Sequence, residues 1–261
     1  MTPRSGSMAS MLNKVPQVTL IFWIIKVMST TVGETGADYL AVHVGLGAGL
    51  TMGVMVGLLV VALAMQLVTR RYTPWIYWLT VVLVSVVGTQ ITDFLTDTLE
   101  VSLYVSTVVF AVVLAVIFLI WYAVERTLSI GTIVTMRREL FYWTAILFTF
   151  ALGTAAGDLA TEALGLGFNI GVIAFGILIA VAAGAFYIGT NAALTFWIAY
   201  ILTRPLGASL GDLLSQSRDY GGLGLGTITT SIAFLVVIVA LVSLLTVRQS
   251  GAREIPAVER P

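Results

Sequence analysis

The stretch FWIIKVMSTTVGETGADYL, residues 22–40, is followed by three degenerate copies of itself, and this repetition determines the architecture of the chain. The copies are YWLTVVLVSVVGTQITDFL at 77–95, YWTAILFTFALGTAAGDLA at 142–160 and FWIAYILTRPLGASLGDLL at 196–214. All four fit one motif, Phe/Tyr-Trp-x9-Gly-x4-Asp, and their glycines are 55, 65 and 54 residues apart. Self-similarity at such a period predicts one supersecondary unit per copy.

Each repeat is long enough for two membrane-spanning helices. A transmembrane helix needs about 20 apolar residues, and eight such stretches lie at 17–40, 45–68, 76–97, 102–124, 140–162, 168–189, 192–214 and 227–247. The composition agrees, since 59% of the 261 residues are hydrophobic and 10% are charged, against about 25% charged in soluble domains. We predict an all-α, polytopic membrane protein whose eight transmembrane helices form four helical-hairpin repeats.

The repeats are expected to run parallel to one another. Because each contains two spans, every repeat enters the membrane in the same direction, and an axis along the membrane normal relates the copies. The predicted division is an N-terminal tail at 1–13, hairpins at 14–68, 74–124, 140–190 and 191–247, a linker at 125–139 and a C-terminal tail at 248–261.

The basic residues separate between the two sides of the predicted bundle. The loops on one side hold Arg218 alone, and the tails and the loops on the other side hold Arg4, Lys14, Arg70, Arg71, Arg126, Arg137, Arg138, Arg248, Arg253 and Arg260. By the positive-inside rule, both termini, both tails and the linker are cytoplasmic.

Composition excludes several functions. Thirteen basic residues balance thirteen acidic ones. The chain therefore has no excess of positive charge that would attract nucleic acid, and we expect no nucleic-acid partner. With no cysteine and one histidine, disulfides, thiolate sites and multi-histidine metal centres are excluded. We expect the lipid bilayer and a small cation as partners and no covalent cofactor.

A polar face follows the motif helices. Residues four apart stack on one face of a helix, and the face that contains the motif aspartate takes positions −7, −3, +1 and +5 from the motif glycine. Its members are Lys26, Thr30, Glu34 and Asp38; Val81, Ser85, Thr89 and Asp93; Ile146, Phe150, Thr154 and Asp158; and Tyr200, Arg204, Ala208 and Asp212. A charge that faces lipid at the middle of a span costs at least about 2.5 kcal/mol, so we expect all four faces to turn inward.

These positions suggest roles. We predict an ion or substrate site formed by Asp38, Asp93, Asp158, Asp212 and Glu34, with supporting hydroxyls from Thr30, Ser85, Thr89 and Thr154. Lys26 and Arg204 would act as counter-charges or, in a competing role, as ligands for an anionic substrate. Oxygen ligands suit a hard cation such as Mn²⁺, Mg²⁺, Ca²⁺ or Na⁺, or a proton. Such an ion would be the substrate and not a resident cofactor.

The other motif residues have simpler interpretations. Tryptophans favour the membrane interface, so the expected interface anchors are Trp23, Trp78, Trp143 and Trp197. A helix rises about 1.5 Å per residue, which places near the midplane the expected hinge or packing glycines, Gly33, Gly88, Gly153 and Gly207. The second span adds a close-packing face that would also serve a homodimer, formed by Gly45, Gly47, Gly49, Gly53 and Gly57.

The leading hypothesis is a cation- or proton-coupled secondary transporter, and not an enzyme. Two alternatives stay open. An intramembrane enzyme would use two facing carboxylates as an acid/base pair. A structural or sensory scaffold would use the acids only to lock helices together through Lys26 and Arg204.

The string KVPQVTLIFWIIKVMSTTVGETGADYL at 14–40, with its three degenerate copies, resembles a bacterial membrane-protein family built of this repeat. Its members are described as uncharacterised membrane-anchored proteins, and the repeat has no known function. The resemblance spans residues 14 to about 247. It implies the fourfold architecture and a multi-pass location in the bacterial inner membrane.

Overall fold

A computed structural model describes residues 13–43 and 48–254, and in these ranges the chain is helical without strands. Its eight long helices are α1 (Leu20–His43), α2 (Ala48–Val68), α3 (Pro74–Asp93), α4 (Leu103–Glu125), α5 (Met136–Asp158), α6 (Gly167–Tyr187), α7 (Ala192–Ser215) and α8 (Thr227–Glu254). Short π-helical turns at Phe94–Thr98 and Leu159–Ala163 extend α3 and α5. The predicted all-α fold of four two-helix repeats is confirmed.

Six of the eight helices, α2 to α6 and α8, are long and apolar enough to cross a membrane. The two others, α1 and α7, carry the buried charges Lys26, Glu34 and Arg204. The helix α8 runs on to Glu254, into the stretch expected to be the C-terminal tail. This composition identifies a multi-pass membrane protein.

The four motif helices form a central ring. α1 packs against α3, α3 against α5, α5 against α7, and α7 returns to α1. Because the motif occurs once in each ring helix, equivalent residues of the four repeats lie around a common axis. We call the end where the ring helices begin the tryptophan end and the end where they finish the aspartate end.

The remaining helices surround this ring in a regular order. α2 packs against α3, α4 against α5, α6 against α7, and α8 against α1. Each outer helix therefore packs mainly on the ring helix of the following repeat, whereas α1 and α2 have few contacts in the described residues. Valines and isoleucines on the outer helices, such as Val60, Val112 and Ile177, are more than half exposed, as expected for surfaces that contact lipid.

The motif glycines allow the ring helices to approach closely. In every repeat, the glycine lies against the side chain at position −3 of the next repeat. The pairs are Gly33 with Ser85, Gly88 with Phe150, Gly153 with Arg204, and Gly207 with Thr30. A Cβ atom added at Gly88 would lie 2.7 Å from Cβ of Phe150, a distance that side chains do not adopt. Glycine is needed at these positions for packing.

The glycines of α2 behave differently. A Cβ atom at Gly49, Gly53 or Gly57 would have no neighbouring atom within 4 Å, so this face makes no close helix contact in the described part of the chain. The two earlier glycines of the predicted face, Gly45 and Gly47, lie outside the described residues.

Candidate functional site

The polar face of each ring helix points into the bundle. At positions −7, −3 and +1, none of the twelve residues is more than 6% exposed. The face therefore lies along the axis of the ring. This burial has a local cause, because the motif glycine of the preceding repeat lets its helix pack directly over position −3.

The polar faces of the ring helices become more exposed at the aspartate end. Asp212 is buried, whereas Asp38, Asp93 and Asp158 are partly exposed. Glu34 lies four residues before Asp38 on α1, so it is one helical turn deeper in the ring. We call these four aspartates and Glu34 the carboxylate layer.

One ion pair anchors the carboxylate layer to the ring. Nη2 of Arg204 donates to Oε2 of Glu34 at 2.5 Å, and both side chains are buried. The same nitrogen donates to the hydroxyl of Thr89, and Nη1 donates to the carbonyl oxygen of Thr30 at 3.4 Å. Arg204 of α7 thereby links α1 and α3 across the axis. Its predicted placement beside Glu34 agrees with the structure.

Lys26 lies elsewhere on the axis and forms no ion pair in the described part of the chain. Its Nζ atom lies 4.0 Å from the ring centre of Phe150 and 4.2 Å from that of Tyr200. The side chain is 1% exposed, and Nζ has no hydrogen-bond partner among the described residues. The prediction that Lys26 is a counter-ion of Glu34 or the aspartates is therefore wrong, since its contacts are cation–π contacts.

The predicted supporting hydroxyls have mixed roles. Thr154 donates to Phe150 of its own helix at 3.0 Å, and Thr30 donates to its own helix and to the carbonyl oxygen of Thr203 at 3.2 Å. Thr89 contacts Arg204, as described above. Ser85 is fully buried, and its Oγ has no partner among the residues that the structure describes. The hydroxyls at these positions mainly donate hydrogen bonds to backbone carbonyl oxygens of the ring helices.

The ends of α3 and α5 carry a feature that the sequence analysis did not predict. A π-helical turn begins directly after Asp93 in α3 and directly after Asp158 in α5. Each π turn contains a second, exposed acid, Asp97 or Glu162. Such turns are frequent at functional sites. In the sequence, these two repeats differ from the others by a second acid four residues after the motif aspartate, and this acid could have drawn attention to the two helix ends.

A small cavity of about 90 Å³ adjoins the carboxylate layer between α1, α2 and the end of α3. Asp93, Asp97 and Gln90 contribute polar groups to its wall, together with Thr51. Within 13–43 and 48–254, no three carboxylate or imidazole side chains are close enough to ligate one metal ion directly.

The motif tryptophans are core residues, which corrects their predicted role as interface anchors. Trp78, Trp143 and Trp197 are at most 5% exposed, and Trp23 is half-buried. Each packs on the Phe or Tyr that precedes the tryptophan in the neighbouring repeat. The ring-centre distances are 5.5 Å for Phe22–Trp78, 5.4 Å for Tyr77–Trp143, 6.1 Å for Tyr142–Trp197 and 5.7 Å for Phe196–Trp23. The motif thus builds an aromatic layer that fills the tryptophan end.

Hydroxyl groups line the same layer. The Tyr77 and Tyr142 hydroxyls lie 2.5 Å apart, and Trp78 donates to the hydroxyl of Tyr72 at 3.2 Å. Burial raises the pKa of the Tyr72 phenol, and the hydrogen bond from Trp78 opposes this shift. Tyr72 therefore stays protonated at neutral pH.

A buried polar cluster beside the tryptophan end escaped the sequence analysis. Nζ of Lys14 donates to Oε2 of Glu139 at 2.6 Å and to the carbonyl oxygen of Leu67 at 3.0 Å. Glu139 is fully buried and also accepts from Gln66 at 3.0 Å. Lys14 and Glu139 are 125 residues apart in sequence, and no short-range pattern predicts such a pair.

Comparison with known proteins agrees with the fourfold ring. The family profile described as "Repeat of Unknown Function (DUF347)" matches four times, at residues 21–72, 76–127, 141–190 and 195–250. No curated protein and no solved structure matches the chain significantly. Because the four matches cover most of the sequence, one per two-helix repeat, the chain belongs to the family built of this repeat of unknown function.

Proposed function

We propose that the protein is a secondary transporter in which the carboxylate layer binds a proton or a hard cation. The observation that carries this proposal is that the four motif helices pack into a ring, and that the polar face of each helix, which is buried along its length, ends in a motif aspartate. Fourfold repetition of an acid inside a membrane bundle needs a compensating function, since intramembrane acids are costly.

Charge arithmetic supports a cationic ligand. The layer contains five carboxylates, and among the described residues only Arg204 forms an ion pair with one of them. Like charges repel strongly where water is scarce. The layer is expected to relieve this repulsion by taking up protons or cations from the aspartate end. Oxygen ligands favour Na⁺, Mg²⁺, Ca²⁺ or Mn²⁺ over soft metals.

The proposed orientation follows from the positive-inside rule. The tryptophan end, both termini and the 125–139 linker would face the cytoplasm of a bacterial cell, and the aspartate end would face outward. The packed aromatic layer supports a closed inner end, and the partial exposure of Asp38, Asp93 and Asp158 supports access from outside. This arrangement corresponds to an outward-facing state.

A thermal-unfolding screen of purified protein tests the binding step. A ligand stabilises the state to which it binds, so a bound cation should raise the unfolding temperature. We expect a dependence on pH or on one hard cation, and Asp93→Asn and Asp158→Asn should weaken it. Asp219→Asn is the matched control, because Asp219 is an exposed acid in the loop that follows α7.

The same screen separates the alternative functions. A scaffold would lose stability in the aspartate variants and show no cation or pH response in the wild type. An intramembrane enzyme would depend on one pair of aspartates, and the other two could be changed without effect. A transporter is favoured if the cation or pH response of the unfolding temperature depends equally on Asp38, Asp93, Asp158 and Asp212.

A further inference from the structure

A second polar layer lies on the axis between the aromatic layer and Glu34. Four of its polar atoms are buried without a hydrogen-bond partner among the described residues. They are Nζ of Lys26, Oη of Tyr200, Nε of Arg204 and Oγ of Ser85, and each of these side chains is at most 1% exposed. We call these four residues the donor layer.

The four residues belong to neighbouring levels of one axial face. Lys26 and Tyr200 occupy position −7, and their side chains are in contact. Ser85 and Arg204 occupy position −3, one helical turn nearer the aspartate end. Arg204 follows Tyr200 by one turn of α7 and binds the hydroxyl of Thr89, which follows Ser85 by one turn of α3. The unpartnered groups are therefore close to one another and not scattered through the bundle.

The donor layer has more hydrogen-bond donors than acceptors, and none of its four residues carries a negative charge. Lys26 and Arg204 supply N–H donors only, and the hydroxyls of Tyr200 and Ser85 can donate as well. Two basic side chains face one acid, Glu34, which Arg204 already binds. An unpaired charge in a dry interior is costly, and buried polar groups without partners call for a missing water or ion.

The contacts of Lys26 would stabilise the charged form of its side chain. An ammonium group near aromatic ring faces is stabilised by the ring quadrupole, and Lys26 lies about 4 Å from two rings. These rings do not replace a counter-ion, because they carry no net charge.

We propose that the donor layer binds a small, singly charged anion between Lys26 and Arg204. This inference rests on the proposed transport function, because it identifies the anion as cargo that moves with the proton or cation of the carboxylate layer. The anionic group can come from an inorganic halide or from a small carboxylate. Close packing at this level, where Phe150 lies against Gly88, favours a small anion.

The test is the thermal unfolding of the purified full chain at constant pH and ionic strength, with potassium gluconate replaced stepwise by potassium chloride or potassium acetate. At about 100 times the dissociation constant, the binding anion should raise the unfolding temperature by several degrees. The chloride arm and the acetate arm distinguish the two sources. Asp219→Asn should respond as the wild type does.

Lys26→Met locates the effect, because methionine fills similar space without a charge. The anion response should disappear in this variant. Tyr200→Phe keeps the ring under Lys26 and removes one donor, so it should weaken anion binding by roughly 3- to 10-fold, and it serves if Lys26→Met does not fold. The proposal is overturned if neither anion stabilises the wild type, or if Lys26→Met or Tyr200→Phe responds as the wild type does.

The outcome is separate from that of the proposed function. A response to pH or cations in gluconate alone reports on the carboxylate layer. If the protein responds to an anion but not to pH or cations, the donor layer is supported and coupling to protons or cations is rejected. If it responds to pH or cations but not to an anion, only the anion site is rejected.

Discussion

The guanidinium of Arg204 binds the carboxylate of Glu34 at 2.5 Å, although 170 residues separate them in the sequence. This contact joins the last repeat to the first, so it closes the ring of motif helices. Both residues are buried. The pair is therefore a structural link of the ring as well as one edge of the carboxylate layer.

Arg204→Met should destabilise the protein by about 3–5 kcal/mol, because it leaves Glu34 buried without its partner. The double variant Glu34→Gln/Arg204→Met should recover part of this loss, since it removes both charges. Denaturant titration of the unfolding equilibrium measures the difference. Arg137→Met, which removes an exposed arginine from its pair with Glu125, should have a much smaller effect. If Arg204→Met and Glu34→Gln/Arg204→Met lose the same unfolding free energy, the loss does not come from an unpaired Glu34.

Gly153→Ala should destabilise the ring by about 1–3 kcal/mol, the usual range for overpacking. The added methyl group would lie 2.5 Å from Cβ of Arg204. The control is Gly53→Ala in α2, where a methyl group has no neighbour within 4 Å and a higher helix propensity gives up to about 1 kcal/mol of stabilisation. The unfolding midpoints of the two variants show whether Gly153→Ala lowers the stability and Gly53→Ala raises it. A stable Gly153→Ala variant would show that the ring does not need this glycine.

Much of the ring was predictable from the sequence. The fixed spacing in four copies predicted four equivalent helices, and the four-residue period placed Lys26, Glu34 and Arg204 on inward faces. These inferences succeed because helix geometry converts spacing directly into position. The motif glycines were predicted to be hinge or packing residues, and their close contacts are those of packing residues.

The neighbours of each helix were not predictable in this way. The sequence places α1 and α2 in one repeat, yet α2 packs on α3, and only tertiary structure decides this. Trp78 illustrates the same limit. A tryptophan near the end of a span usually lies at the interface, but here the Phe22 ring of the preceding repeat covers it.

The hydroxyls of Tyr77 and Tyr142 should be energetically coupled. Tyr77→Phe leaves the Tyr142 hydroxyl buried without its 2.5 Å partner, which should cost about 1–3 kcal/mol. In Tyr77→Phe/Tyr142→Phe the total loss should be clearly smaller than the sum of the two single losses. A double-mutant cycle of unfolding free energies measures the coupling. Simple additivity would mean that the two hydroxyls act independently.

Lys14→Met should loosen the segment that precedes α1. The backbone N–H of Lys14 donates to Ile133, and that of Tyr72 donates to the carbonyl oxygen of Asn13. Removal of the Lys14 ammonium leaves Glu139 buried without its ion pair. Hydrogen exchange should therefore accelerate at the amides of Lys14 and Tyr72, whereas amides in the middle of α5 should change little. Unchanged exchange at both amides would contradict a fastening role for Lys14.

Ion flux in proteoliposomes that contain the full chain measures the proposed transport itself. An imposed gradient of protons or of the stabilising cation should drive uptake in the wild type and in Asp219→Asn. Single changes of Asp38, Asp93, Asp158 or Asp212 to asparagine should lower the initial rate by at least about tenfold, in protein that remains folded. Wild-type flux in all four variants would contradict the account.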